Sequence, residues 1–307
     1  MKRLIYNTLI SIYKIAPGKK IICKLLKIAR IPNSKFYKDL KFNGQFEVKT
    51  PNEGAFKLWH HGGQIENETF WKGLFTSWEN DTGWIWQELC LFSNTVFDIG
   101  ANTGIYSMVA KTINSESKVF AFEPSNHTYK KLLLNNKLNK FDITCEQIAL
   151  SNSNGKQVFY DTPDSNQTSA SLSPEKLKNW EGYIGDIVEY EVQTITLADY
   201  IKNKSIENID LIKIDIEMHE PEAIEGLGYY LQEYKPIVLI EILSDEIAEK
   251  LDELINNKEH VIFHLKGHNN AQLVEKFSWS YPHWNYLFFH KDLIEKIKLH
   301  TTLYKKH

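Results

Sequence analysis

The residues best suited to chemistry are acids and glycines at the ends of apolar runs. Asp98, Gly100, Asn102 and Gly104 occur at alternate positions after one such run, and Glu123 ends the next. An acid there can bind an ammonium group, and the asparagine can bind a polar tail. The two glycines let a loop fold closely around a ligand. A carboxylate placed like Glu123 can accept hydrogen bonds from both hydroxyls of a ribose. This spacing therefore predicts a site for an adenosine-containing cofactor.

Two cofactors fit an adenosine site of this kind. A dinucleotide fold typically carries Gly-x-Gly-x-x-Gly, where the backbone approaches a pyrophosphate. Here the pattern is Gly100-x-Asn102-x-Gly104, with an acid two residues before the first glycine. S-adenosylmethionine (SAM) has no pyrophosphate and ends in a zwitterionic methionine. The spacing favours SAM, with a nicotinamide cofactor as the alternative.

A second group of titratable residues follows a later apolar run and predicts proton transfer. Asp215, Glu217, His219 and Glu220 lie at or just beyond the end of that run. An acceptor hydroxyl must lose its proton during attack, and His219 titrates near neutral pH. The alternative is that the glutamates cap the next helix and His219 is solvated. Asp215, Glu217 and Glu241 are also weak candidates for a divalent metal, which is not favoured.

Strands and helices alternate from residue 94 onward, which predicts the elements that position these groups. Alternation of this kind is typical of a parallel, doubly wound sheet. The last two strands have no full helix between them, so they are expected to pair as an antiparallel hairpin at the sheet edge. The predicted fold is α/β, a Rossmann-like class I methyltransferase with a mostly parallel seven-stranded sheet and an N-terminal helical and aromatic extension. The main predicted strands are 96–99, 119–122, 143–148, 210–216, 237–242, 260–265 and 285–290, and a helix is predicted over 221–231.

Several of these motifs resemble the FkbM-type family of SAM-dependent methyltransferases. They are Val96–Ser107, Phe120–Pro124, Ile209–Glu217, Pro236–Glu241 and Asn285–Phe288, and the resemblance spans about residues 94–290. It implies O-methylation of a hydroxyl on a sugar, glycan or macrolide-like product. One step departs from the family pattern, which has Gly-Ala after Glu217 where this chain has Met218-His219.

The composition predicts how the chain is divided. The predicted segments are a basic amphipathic arm at 1–44, an aromatic-rich cap at 45–93, a methyltransferase domain at 94–291 with a polar insertion at 151–186, and a C-terminal tail at 292–307. Five of the eight tryptophans fall in the cap. Their rings either form a packing layer or provide a platform on which sugars stack.

The N-terminal arm differs in charge from the rest of the chain. Ten lysines and arginines and no acid precede Asp39. Apolar residues at helical spacing predict two short helices, broken near Pro17-Gly18. Such helices either lie on an anionic membrane or pack on their own domain with the lysines solvated. Peripheral membrane contact through residues 1–38 is therefore one of two interpretations.

The remaining sequence features limit the function classes. The net charge of −3 gives no basic excess for nucleic acid. Three cysteines without a CxxC motif favour a reducing compartment, and no secretory signal is recognised. A cytoplasmic enzyme is therefore expected, with a membrane-peripheral location as the alternative. The leading hypothesis is a SAM-dependent O-methyltransferase acting on a glycan or metabolite hydroxyl. The alternatives are a non-catalytic SAM-binding scaffold and a membrane-surface partner in glycan assembly.

Overall fold

The chain folds as two compact units that divide between Trp78 and Glu79. The computed structural model describes residues 10–30, 37–51, 53–162, 170–172, 187–255 and 258–304. The division falls inside the predicted aromatic segment 45–93. Most of the predicted polar insertion 151–186, at 163–169 and 173–186, lies outside the described residues.

The first unit contains the basic arm and a hairpin that the sequence analysis did not predict. Residues 10–15 are helical and end just before Pro17-Gly18, where the break between two helices is predicted. The further elements are helix α1 (Lys19–Ile28), a 3₁₀ turn (Tyr37–Asp39), strands β1 (Gly44–Lys49) and β2 (Ala55–His60), and helix α2 (Gln64–Lys72). The two strands pair antiparallel. The rings of Phe42 and Phe46 meet Phe70 edge to face, so aromatic packing forms this core.

The second unit is built on an eight-stranded sheet whose order along the sheet is β12-β11-β13-β10-β9-β3-β4-β5. Its strands are β3 (Thr95–Ile99), β4 (Lys118–Phe122), β5 (Thr144–Glu146), β9 (Leu211–Ile214), β10 (Ile237–Glu241), β11 (His260–Leu265), β12 (Ala271–Val274) and β13 (Asn285–His290). Five neighbouring strands, β10, β9, β3, β4 and β5, are parallel. β13 enters antiparallel between β10 and β11. This arrangement confirms the predicted class I methyltransferase sheet with its antiparallel hairpin.

Helices cover the central strands, which explains why those strands are apolar throughout. The helices are α3 (Gly83–Cys90), α4 (Ile105–Ile113), α5 (Asn126–Asn139), α6 (Leu197–Lys204), α7 (Glu220–Leu227), α8 (Tyr230–Tyr234), α9 (Asp245–Leu254) and α10 (Ile294–His300). Phe97, Ile212, Val238 and Ile240 are all buried in one cluster. Strands buried on both faces are continuous apolar runs rather than alternating ones.

Three details differ from the prediction. The sheet has eight strands and not seven, because Ala271–Val274 adds an edge strand beside β11. The helix predicted over 221–231 is two helices, since it ends at Gly228, which has a φ of 54°. A separate three-stranded sheet contains β6 (Ala149–Ser151), β7 (Gly155–Asp161) and β8 (Val188–Thr196). In the described part of the chain, no helix combines the length and the apolar character that a bilayer crossing requires.

Candidate active site

The predicted site residues lie at one edge of the main sheet. β3, β4, β9 and β10 are parallel, so their carboxyl ends share that edge. Ligands of open α/β sheets bind outside the carboxyl ends of the strands. The glycine loop follows β3, Glu123 follows β4, the loop with Asp215 and Glu217 follows β9, and Glu241 ends β10. The fold thus brings together residues that are more than 100 positions apart.

The loop after β3 requires glycine at position 100. Gly100 has a φ of 77°, and a Cβ there would lie 1.9 Å from the backbone oxygen of Asp215. The backbone N–H groups of Gly100 and Ala101 donate to the Phe122 carbonyl. Asn102 is also left-handed, at a φ of 51°, and its Oδ1 accepts from the N–H of Thr103 at 2.8 Å. The loop is therefore held against both neighbouring strand ends.

Asp98 is fully buried and only one of its oxygens is occupied. Oδ2 accepts from the backbone N–H and the hydroxyl of Ser107, at 2.9 and 2.6 Å. Oδ1 is buried and has no hydrogen-bond partner among the described residues. Burial raises the pKa of the Asp98 carboxyl, an effect opposed by the Lys213 ammonium and the Ser107 donors. A buried carboxylate oxygen in this state fits a donor supplied by a ligand.

Glu123 ties the glycine loop to the end of β4. Its Oε2 accepts from the N–H of Asn102 at 3.0 Å, and its Oε1 accepts from the N–H of Ser125 at 2.8 Å. Burial raises the pKa of Glu123 to about 7, against the lowering effect of these two backbone donors. Each carboxylate oxygen has a further lone pair that can accept from a ribose hydroxyl.

Three of the predicted acids form a cluster at the ends of β9 and β10. Carboxylate oxygens of Asp215, Glu217 and Glu241 lie within 4.8 Å of one another, and all three residues are half-buried. These are the residues that the sequence analysis names as weak metal candidates. The Lys213 ammonium donates to Asp215 Oδ2 at 2.9 Å, so this carboxylate already has a cation beside it.

Lys213 and Glu79 belong to this region, although the sequence analysis did not select them. Burial acts to lower the pKa of Lys213 but is outweighed by the carboxylates of Asp215, Asp98 and Glu79, and the pKa is raised. Glu79 Oε2 accepts from the hydroxyls of Thr82 and Tyr106 at 2.7 and 2.9 Å. Lys213 could have been selected from the sequence, because it is a charged residue within the otherwise apolar run of β9. Glu79 has no such signal.

The positions of His219 and Glu220 do not favour their predicted role in facing an acceptor. His219 Nε2 lies 3.0 Å from the Ser151 hydroxyl, and its Nδ1 lies 3.6 Å from Glu222. Burial lowers the pKa of His219. Glu220 is fully buried, and its Oε1 accepts from the N–H groups of Ile216 and Met218 at 3.2 Å each. Its carboxylate supports the strand-end loop, and burial raises its pKa to about 8.

The loop after β9 also contains the position at which this chain departs from the family signature. Met218 has a φ of 77° and follows Glu217 at a φ of 58°. The signature has glycine at position 218, where a left-handed backbone is unstrained. This chain instead places a side chain there, at a typical cost of about 1–3 kcal/mol. Glu220 holds the strained segment through its two backbone hydrogen bonds.

The strand order is that of the class I methyltransferase fold. A family model for the methyltransferase FkbM domain matches residues 98–266, more than half of the chain. The chain therefore belongs to the FkbM methyltransferase domain family, as its motifs predict.

Curated relatives are similar at low identity. Methyltransferase sdnD from Sordaria araneosa is 26% identical over 186 residues, covering 53% of this chain and 72% of the relative. Hexuronic acid methyltransferase AglP from Haloferax volcanii is 24% identical over 163 residues, covering 53% and 62%. 31-O-demethyl-FK506 methyltransferase FkbM from Streptomyces tacrolimicus is 28% identical over 156 residues, covering 44% and 59%. The chain thus spans less than two thirds of the latter two relatives.

Proposed function

We propose that this chain is a SAM-dependent O-methyltransferase whose acceptor is a hydroxyl of a sugar, a glycan or a specialised metabolite. The observation that carries the proposal is the sheet edge, where a loop suited to SAM adjoins a cluster of carboxylates. Two of the relatives, a hexuronic acid methyltransferase and a 31-O-demethyl-FK506 methyltransferase, support oxygen-rich acceptors.

The cofactor half of the proposal depends on Asp98, Asn102 and Glu123. Asp98 has an Oδ1 that is buried without a partner among the described residues, so an ammonium donor would satisfy it. Glu123 lies directly after β4, where two ribose hydroxyls could reach its carboxylate. Asn102 lies on the loop that follows Asp98 and β3. A bound SAM supplies an electrophilic methyl carbon on a sulfonium. The protein's own contribution is to orient that group and to exclude water.

The acceptor half depends on the carboxylates beyond β9 and β10. Methyl transfer requires an in-line approach, and correct positioning can supply about 7–11 kcal/mol of the barrier. Carboxylates of Asp215, Glu217 and Glu241 offer hydrogen-bond acceptors to the hydroxyls of a sugar. Lys213 keeps positive charge beside Asp215, which limits repulsion within the cluster. Such an edge suits a polyhydroxylated acceptor better than an apolar one.

Calorimetric titration with SAM tests the cofactor half. The wild-type chain is expected to bind SAM, and Glu123→Ala is expected to weaken binding about 10–100-fold, the value of a hydrogen bond to a charged group. Glu295→Gln, on the exposed side of α10, is the matched control. Unchanged affinity in Glu123→Ala would remove the ribose assignment.

Mass spectrometry with a panel of acceptors tests the acceptor half of the proposal. The panel contains uronic acid glycosides, lipid-linked sugars and macrolactones, and the expected product carries one added methyl group. SAM binding with no transfer to any panel member would instead favour the non-catalytic scaffold.

A further inference from the structure

Five large aliphatic side chains are exposed within a short part of the N-terminal arm. Ile12, Ile15, Ile21, Leu25 and Ile28, here called the N-terminal stripe, are each between 57% and 84% exposed. They are a third of the large apolar residues that are exposed among the described residues. A concentration of this kind usually marks an interaction surface rather than chance exposure.

The stripe is not the face by which α1 packs on its own unit. Ile21, Leu25 and Ile28 follow helical spacing and share one side of α1. The buried side carries Cys23, whose Sγ lies 3.1 Å from the Tyr13 hydroxyl. That hydroxyl donates to the Lys41 carbonyl at 2.6 Å. The helix is therefore already anchored, and the stripe forms a second apolar face.

The charges beside the stripe identify the chemistry of its partner. Lys14 and Lys24 are exposed, and no acid precedes Asp39 in the chain. Lys27 has a different role, because its ammonium donates to the Phe70 carbonyl inside the unit. An apolar face bordered by lysines is the pattern of a helix that lies in the interface of an anionic membrane.

We propose that the N-terminal stripe inserts into the headgroup region of a membrane containing anionic phospholipid, with Lys14 and Lys24 contacting the headgroups. This inference concerns binding alone and does not depend on the proposed methyl transfer. A second copy of the chain would also cover an apolar face, and it is one of the outcomes of the test below.

Co-sedimentation of the full chain with phosphatidylcholine vesicles, with and without phosphatidylglycerol, tests the proposal. Binding is expected only with phosphatidylglycerol, and high salt should weaken it. The triple variant Ile21→Ser, Leu25→Ser, Ile28→Ser should bind at least about tenfold more weakly, and Lys24→Gln about fivefold. Leu254→Ser, Leu273→Ser, Leu299→Ser, which removes exposed leucines of the second unit, is the matched control.

Three outcomes would overturn the proposal. One is wild-type protein that does not bind anionic vesicles. Another is a triple variant that binds as well as the control while circular dichroism shows both folded. The third is sedimentation equilibrium showing that the stripe holds a dimer in the absence of lipid.

A second observation, independent of the N-terminal stripe, is an aspartate–histidine pair formed by residues just before α3 and just before β13. His283 Nδ1 lies 2.6 Å from Asp81 Oδ2, and the side chains are 34% and 18% exposed. The backbone of His283 is fixed, because its N–H donates to the Ser280 carbonyl and its carbonyl oxygen contacts His264 Nε2 at 2.8 Å. With Nδ1 bound to the aspartate, Nε2 is the nitrogen left to meet a ligand.

Chain connections place this pair beside the predicted acceptor site. Asp81 lies between Glu79 and Thr82, which share a hydrogen-bond network with Tyr106. His283 is two residues before Asn285, which pairs in register with Glu241. Each member of the pair is therefore two residues along the chain from a residue of this region, Glu79 or the Glu241 partner Asn285. His219, the histidine favoured by sequence, lies instead beneath the strand-end loop against Ser151.

The geometry points to His283 as the base that accepts the hydroxyl proton, with Asp81 as its positioning residue, and this inference rests on the proposed function. The acceptor O–H bond breaks while its oxygen bonds to the methyl carbon. The methyl–sulfur bond breaks with its electrons left on sulfur, which gives a neutral thioether. The proton passes to His283 Nε2 and then to water. His264, which also lies near both members of the pair, and Lys266 are further titratable groups in this region.

Kinetics with whichever panel acceptor the wild type methylates test this assignment. His283→Gln should lower kcat by about 10²–10⁴-fold with SAM affinity unchanged, and should remove the acidic limb of the pH–rate profile. Asp81→Asn should lower kcat less and move that limb. His300→Gln, on α10, is the control. A retained kcat in His283→Gln, or a loss confined to SAM affinity, would overturn the assignment, whereas a wild type inactive on every acceptor would instead refute the proposed function.

Discussion

Substitution of Gly100 by alanine tests whether the cofactor loop is as close to β9 as the structure places it. The added Cβ would lie 1.9 Å from the backbone oxygen of Asp215, where ordinary contacts begin at 3.4 Å. Because backbone cannot rotate away as a side chain can, the strand end or the loop must move. Overpacking of this kind typically costs about 1–3 kcal/mol. The left-handed backbone of residue 100 adds about 1–2 kcal/mol.

Gly155→Ala separates these two contributions. Gly155 also has a positive φ, at 145°, but a Cβ there would have no atom within 4 Å. It therefore carries backbone strain without the contact. Gly100→Ala should be less stable than Gly155→Ala by about 1–3 kcal/mol, the overpacking contribution alone.

Thermal unfolding by calorimetry measures that difference. At about 2–4 °C per kcal/mol for a domain of this size, Gly100→Ala should melt roughly 2–12 °C below Gly155→Ala. Its SAM affinity should also fall, while that of Gly155→Ala should not. Equal melting temperatures would show that the loop does not contact the end of β9 and would refute the described site geometry.

Three further predictions concern charge at the site. The pKa of Glu220 in the folded chain, about 8, lies above its ordinary value. The stability that this carboxyl contributes is therefore present at low pH and lost as the pH rises towards 8. Glu220→Gln should reduce this loss of stability in urea titrations at increasing pH, and an unchanged pH dependence would contradict the prediction. Lys213→Met leaves Asp98, Asp215 and Glu79 uncompensated and should destabilise the chain by about 3–5 kcal/mol in denaturant titrations. The exposed control Lys298→Met should lose far less stability, and equal losses would argue against a buried ion pair. Methyl transfer should survive treatment with a chelator, because the Lys213 ammonium already supplies a cation beside Asp215. A loss of activity that added Mg²⁺ restores would instead assign a metal to the cluster of Asp215, Glu217 and Glu241.

The positions of the candidate cofactor residues could be predicted from the sequence because their signals are local. Asp98, Gly100 and Glu123 each lie next to a strand whose apolar run is easy to recognise. Their common edge follows from parallel pairing. The same reasoning placed Asp215, Glu217 and Glu241 as metal candidates, and the fold brings their carboxylates together.

The contact between Asp81 and His283 could not be predicted from the sequence, because it is tertiary. The two residues are 202 positions apart, so no local pattern links them. His219 looked like a base by sequence spacing alone, yet the turn into α7 directs it towards Ser151. The edge strand Ala271–Val274 is short and half-exposed, so it has little of the apolar pattern that identifies the central strands.

Transfer of a deuterium-labelled methyl group from SAM to the acceptor panel tests the central claim most directly. Mass spectrometry should find the intact labelled methyl on an oxygen of one acceptor, with an equal amount of S-adenosylhomocysteine formed. Label on nitrogen or carbon, or no label on any acceptor while SAM binds, would contradict the claim that this sheet edge performs O-methyl transfer.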